Sequence, residues 1–210
     1  MQTGKLITIE GIEGAGKSTA VSDIRAWLDS HGIHAIFTRE PGGTDIAEEI
    51  RKVLLFPAST EKMQPQTELL LMFACRAQLI NHVIKPALQS GQWVVSDRYV
   101  DASYAYQGYG RGIDMAYIQQ LDRMIVGDIY PDLTFFLDVP VELGLKRAEK
   151  RGQGKDRIEQ EKVEFFTRVR EGYLERAKQE PDRIKVIDAS KTPGEAALQI
   201  VRMLDSMMVI

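Results

Sequence analysis

At 210 residues, 44% hydrophobic and 27% charged, the chain has the length and composition of one well-filled globular domain. Its formal net charge of -3 gives no global attraction for nucleic acid or anionic lipid, so an anionic ligand must meet a local cluster of basic groups. No stretch is apolar enough to span a bilayer, the start lacks a leader pattern, and the single Cys75 can form no internal disulfide, which sets the expectation of a cytoplasmic protein.

The first predicted strand, residues 6–9, leads into Gly11-Ile12-Glu13-Gly14-Ala15-Gly16-Lys17-Ser18, and a helix opens near Gly16 with helical periodicity over 19–30. Glycines here let backbone N–H groups close around phosphate oxygens, and the helix N-terminus favours negative charge. Lys17 is spaced to reach β- and γ-phosphates and Ser18 to ligate Mg²⁺. Motif and strand–helix context are both satisfied, so residues 11–18 with Thr19 read as an ATP-binding P-loop. The loop identifies a phosphotransferase and is silent about the acceptor. Glu13 is its odd member. A carboxylate inside an anion-binding loop needs another partner, such as a substrate hydroxyl; the alternative is a solvent-facing loop residue.

The second strand, 34–37, ends in Thr38-Arg39-Glu40-Pro41-Gly42-Gly43-Thr44, a tight turn whose Arg39 either meets a phosphate or pairs with Glu40. Helical periodicity follows over 67–89. The third strand, 93–96, ends in Asp97-Arg98-Tyr99, where Asp97 reads either as a Mg²⁺ ligand or as half of a strand-end ion pair. Residues 102–112 are dense in hydrogen-bonding and aromatic side chains suited to a planar base. The fourth strand, 133–137, leads into a helix with Lys146, Arg147, Lys150 and Arg151, then Asp156-Arg157-Ile158-Glu159. This basic, glycine-interrupted segment around 147–160 reads as a lid closing over phosphates or as a solvated hairpin. A fifth strand, 184–187, and a helix over 193–208 close the chain. Such alternation predicts one domain over 1–210, an α/β fold with a five-stranded parallel sheet covered by helices on both faces. Ligands then gather beyond the carboxyl ends of the strands.

Together these motifs resemble the thymidylate kinase (dTMP kinase) family in its bacterial form: the P-loop with its internal acid, Arg39-Glu40-Pro41-Gly42-Gly43-Thr44, Asp97-Arg98-Tyr99, Ala105-Tyr106-Gln107-Gly108 and Asp156-Arg157-Ile158-Glu159. The resemblance covers nearly the whole chain and implies the P-loop NTPase fold of nucleoside monophosphate kinases. It implies transfer of the γ-phosphoryl group of Mg²⁺-bound ATP to dTMP, and a homodimer, for which the apolar face of 67–89 is a candidate contact. Glu13 is similar to the family acid that accepts the 3′-hydroxyl of the dTMP sugar. Arg39, Arg51 and Arg98 resemble the arginines around the dTMP phosphate, and Arg76 the one that hydrogen-bonds thymine. Ser103, Tyr106 and Gln107 fall in the base and sugar pocket, with Tyr106 filling the space of a ribose 2′-hydroxyl. Pro41 corresponds to a junction proline with an expected cis peptide.

One position departs from the common pattern, and another points to a subgroup. Where the family usually stacks an aromatic residue on thymine, this chain has Met72, with Phe73 beside it, so either Met72 covers the base or a local shift presents Phe73. One subgroup carries an arginine where this chain has Gly14. Here arginines lie in 147–157 instead, which is similar to the subgroup whose lid arginine stabilises the transferred phosphoryl group. Arg151 is the leading candidate, Arg147 is expected over adenine, and Arg157 is either catalytic or structural. A GTPase-like switch lacks its Asn-Lys-x-Asp signature, since the chain's single Asn81 precedes His82. His31, His34 and His82 lack the spacing of metal ligands.

Overall fold

The computed structural model describes residues 4–58, 61–150 and 156–208. Strands β1 (Leu6–Glu10), β2 (Ala35–Arg39), β3 (Trp93–Asp97), β4 (Leu133–Asp138) and β5 (Ile184–Asp188) form one parallel sheet in the order β2-β3-β1-β4-β5. Each runs one or two residues past its predicted end and stops on a charged residue. Apolar patterning stops where those charges begin, but the ladder does not: Arg39 stands in register with Asp97, and Asp138 with Asp188. The carboxyl edge of the sheet is therefore a row of charged side chains fixed on strands.

Alternation along the strands sends side chains to opposite faces. Ile7, Ile9 and Val95 pack with Ile24, Trp27 and Leu28 of α1 (Lys17–Ser30) and with Ile200 and Leu204 of α9 (Pro193–Met208). Leu6 and Val94 pack instead with Leu69 and Phe73 of α3 (Pro65–Leu79) and Ile118 of α6 (Met115–Ile125). Local sequence marks the helix starts. The Thr44 hydroxyl accepts from Ala47 N at the head of α2 (Asp45–Leu55), and Thr192 with Glu195 forms a reciprocal capping box before α9.

The predicted helix over 67–89 is not one regular α-helix. It starts at Pro65, widens into a π-helical turn at Ile80–Ile84 and resumes as α4 (Lys85–Gln89). Pro86 accounts for the change, because it has no N–H to donate and its ring crowds the carbonyl four residues back. A second π-helical stretch, Tyr104–Gly110, extends α5 (Val100–Ser103) and carries Tyr106 and Gln107. The remaining helices are α7 (Val141–Glu149) and α8 (Val163–Gln179).

The chain visits β2 and β3 on one side of β1, then β4 and β5 on the other. Connections leaving β1 and β3 thus part in opposite directions and leave a crevice at their carboxyl ends. The P-loop and Asp97-Arg98-Tyr99 both open into it.

Candidate active site

The P-loop turns over the end of β1 in backbone conformations that only glycine adopts at low cost. Gly14 has φ of +72°, and a Cβ there would lie 1.9 Å from the Gly144 carbonyl of α7. No larger residue fits, an arginine included. Gly16 caps α1 from the left-handed region. Lys17 is buried, and its Nζ donates to the carbonyls of Gly11 (3.2 Å) and Ile12 (3.1 Å), which hold the ammonium across the loop. Burial, and next the Arg98 guanidinium, lower its pKa, while Glu13 and Asp97 oppose them. Ile12 itself is a core residue.

Glu13, Gly16, Lys17, Ser18, Thr19, Asp97, Arg98 and Arg147 line the cleft in front of this loop. Asp97 Oδ1 is buried there and takes no hydrogen bond, so it is an acceptor without a donor. With the Ser18 hydroxyl in the same cleft, this donor set suits Mg²⁺ shared with phosphate oxygens. Among the described residues no group of three or more His, Cys, Asp or Glu could hold a metal alone. The cleft continues past Gly14, Ala15 and Thr19 to Ala189, Lys191, Thr192 and Pro193, between β5 and α9. Arg147 Nη1 donates to Ala189 O (2.7 Å), so its guanidinium lies along this second part. Residues 189–193 escaped the sequence reading. They follow a strand like the other site segments but carry no motif, and only the fold brings them to the P-loop.

On the other side of Glu13 and Arg98 lies a cavity of about 200 Å³. Glu13, Pro41, Arg51, Met72, Arg98, Tyr106 and Gln107 line it, together with Asp156, Ile158 and Glu159. Arg98 is its centre. Its Nη2 donates to Glu13 Oε1 and to the Tyr106 hydroxyl (3.3 Å), and its guanidinium carbon lies 5.5 Å from the Tyr106 ring centroid. Burial alone would lower its pKa, but Tyr106, Glu13 and Asp97 together raise it well above the ordinary value. Arg98 is also the sole non-glycine residue with positive φ (69°) among those described, a conformation that costs on the order of 1–3 kcal/mol and persists only where its surroundings fix it.

Other predicted residues take different places. Arg51 enters the cavity and donates to Pro41 O (2.7 Å), and the peptide before Pro41 is cis. Arg39 stays at the exposed rim, where its Nη2 donates to both Glu48 carboxylate oxygens. Met72 faces the cavity, whereas Phe73 turns into the core beside Leu6 and Leu69. Successive helical residues point about 100° apart, so only one of the two can face the ligand. Arg76 lies beneath the cavity, fully buried. Its Nε and Nη2 donate to Glu40 Oε2 (3.0 and 2.7 Å), Nη2 also to Tyr99 O, and Nη1 to Ser103 Oγ (2.9 Å). Both Arg76 and Ser103 are thus engaged with protein groups rather than lining the cavity.

Arg157 belongs to a separate cluster and not to the phosphate cleft. Its Nε donates to Leu54 O (2.9 Å), and its Nη2 lies 2.7 Å from Glu68 Oε2. Glu68 also receives Arg111 through both oxygens and Gln107 Nε2 (2.8 Å). Burial would raise the Glu68 pKa, but Arg111, Gln107 and Arg157 hold it below the ordinary value. This carboxylate anchors residues 156–159 as a cavity wall, a role its position in an amphipathic run did not signal. Arg151, the expected catalytic arginine, lies outside the described residues.

Comparison with known proteins agrees with this geometry. The family model for thymidylate kinase matches residues 9–200. A thymidylate kinase of Marinomonas sp. (strain MWYL1) is 51% identical over 201 residues, 96% of this chain and 94% of that protein. One from Vesicomyosocius okutanii subsp. Calyptogena okutanii (strain HA) is 51% identical over 207 residues, 99% of this chain and 100% of its own. The crystal structure of thymidylate kinase from Ehrlichia chaffeensis superposes with a TM-score of 0.76 at 33% identity, covering 96% of this chain and 99% of that one. With a P-loop cleft and an acceptor cavity meeting at Glu13 and Arg98, and a family match over most of its length, the chain belongs to the thymidylate kinase family.

Proposed function

We propose that the chain transfers the γ-phosphoryl group of Mg²⁺-bound ATP to the phosphate of dTMP, giving ADP and dTDP. The carrying observation is that Glu13 and Arg98 line both the P-loop cleft and the neighbouring cavity, so donor and acceptor phosphates would meet at one guanidinium. The P-loop N–H groups and Lys17 hold the β- and γ-phosphates, and Arg147 lies over the adenine. Arg98 and Arg51 hold the dTMP phosphate, for which a planar guanidinium offers paired donors. Glu13 accepts the sugar 3′-hydroxyl, Tyr106 fills the space of a 2′-hydroxyl, and Met72 covers the thymine. Ser18 and Asp97 would hold Mg²⁺, which would neutralise phosphate charge when bound. The acceptor is already a phosphate oxygen and needs no general base, so catalysis rests on alignment, charge and exclusion of water. Gly14 is supported as a site closed to arginine, which leaves transition-state charge to a lid arginine, Arg151 by our assignment.

We further propose a homodimer. Ile46 and Val53 of α2, Leu70 of α3 and Met124 of α6 are exposed apolar residues on helices that pack on one another through α3, and they are the candidates for that contact. A cytoplasmic setting suits the lone Cys75, a buried thiol whose burial pushes its pKa up to about 12. The test of the reaction is ADP release with dTMP, dUMP, dCMP, AMP and GMP as acceptors. A preference for dTMP is expected. Faster turnover with another acceptor would overturn the dTMP assignment and leave the P-loop assignment standing.

A further inference from the structure

Arg98 must hold a left-handed backbone (φ 69°) to carry its guanidinium between Glu13 and Tyr106, and four hydrogen bonds clamp the peptides around it. Two are backbone bonds that extend the sheet: Arg98 N donates to Ile9 O (2.9 Å), and Glu40 N donates to Asp97 O (2.9 Å). The other two come from side chains on strands. Ser96 Oγ donates to the Arg98 carbonyl (2.7 Å), and Glu10 Oε1 accepts from Tyr99 N (2.7 Å). Ser96 and Glu10 are both fully buried, and neither lines the cavity nor the P-loop cleft. Glu10 is itself fixed, because its second oxygen accepts from the Tyr173 hydroxyl (2.6 Å) and Tyr173 stacks on Phe136.

We propose that Glu10 and Ser96 are positioning residues for the phosphoryl acceptor, locking residue 98 in the left-handed conformation that aims its guanidinium into the cavity. Without them the peptide after Arg98 loses both of its side-chain bonds, while the peptide before it keeps its backbone bonds to Ile9 and Glu40, and residue 98 relaxes towards negative φ. The Cα–Cβ bond then points elsewhere. A buried carboxyl group at the end of β1 is otherwise costly to keep. Its two hydrogen bonds tie the strand that launches the P-loop to the turn that carries Arg98, and so set donor and acceptor ends of the site against each other.

The inference rests on dTMP being the acceptor and is tested by measuring dTMP binding calorimetrically for Ser96→Ala, Glu10→Gln and Glu10→Ala. Ser96→Ala is repeated in an Arg98→Ala background. Ser96→Ala should weaken binding about fivefold, the scale of one net hydrogen bond, and have no effect once Arg98 is gone. Glu10→Gln should bind as the parent does, because its amide oxygen still accepts from Tyr99 N and its NH₂ can donate to Tyr173, whereas Glu10→Ala should not. An equal loss for Ser96→Ala in both backgrounds, or no loss in the parent, overturns the clamp. Ser96→Ala removes one hydroxyl from a strand and decides the point even if Glu10→Ala does not fold. A parent chain that binds no dTMP would instead overturn the acceptor assignment.

Discussion

The donor cleft is made largely of backbone, whereas the acceptor cavity is made of side chains that are already paired. In the P-loop, N–H groups, three glycines and one lysine come from eight consecutive residues, and their geometry follows from local conformation. The cavity draws on six separated segments, and ion pairs in and around it fix its walls: Arg98 with Glu13 in the lining, Arg76 with Glu40 beneath it, and Arg111 and Arg157 with Glu68 behind it. A backbone cradle tolerates change outside its motif. A side-chain cavity is sensitive to each partner, because removing one leaves a buried charge unmatched.

This contrast can be broken at several points. The largest effect should come from Arg151→Ala, with kcat lowered about 10³-fold and little change in the KM for dTMP, as for arginines that stabilise the transferred phosphoryl group. An unchanged kcat would return the catalytic charge to another residue. Lys17→Ala should lower kcat/KM by about 10²–10³-fold, because one preorganised charge is lost from the phosphates. Dependence on ATP concentration should show that loss on the donor side.

Smaller effects sharpen the acceptor side. Met72→Ala should raise the dTMP KM roughly tenfold, from apolar cover worth about 1.5 kcal/mol. Phe73→Ala should leave that KM unchanged and cost about 3–5 kcal/mol of stability in denaturant melts, as core truncations do. A raised KM for Phe73→Ala would instead place its ring on the base.

A last effect, on stability alone, concerns Glu10, whose burial, with help from Asp101, raises its pKa from 4.5 to about 8. Between those values the folded chain binds more protons than the unfolded one. The stability this group contributes is therefore complete below 4.5 and is lost as the pH rises through 8. The Tm of the parent should fall relative to that of Glu10→Gln across this range, and parallel profiles would show that Glu10 titrates normally.

The sequence alone determined the parallel α/β sheet, the place of the P-loop after its first strand and the position of Asp97-Arg98. Those features are contiguous: a motif of neighbouring residues carries its own backbone geometry, and apolar alternation carries the strand. The choice between Met72 and Phe73, the burial of Arg76 on Glu40, Arg157 joining Glu68, and the use of residues 189–193 were decided only in three dimensions. Each depends on which way a side chain turns and on which distant residue neutralises it. Arg98 shows the division best. Its place after β3 is legible in the sequence, but its left-handed backbone is set by Glu10 and Ser96, one of them on a different strand.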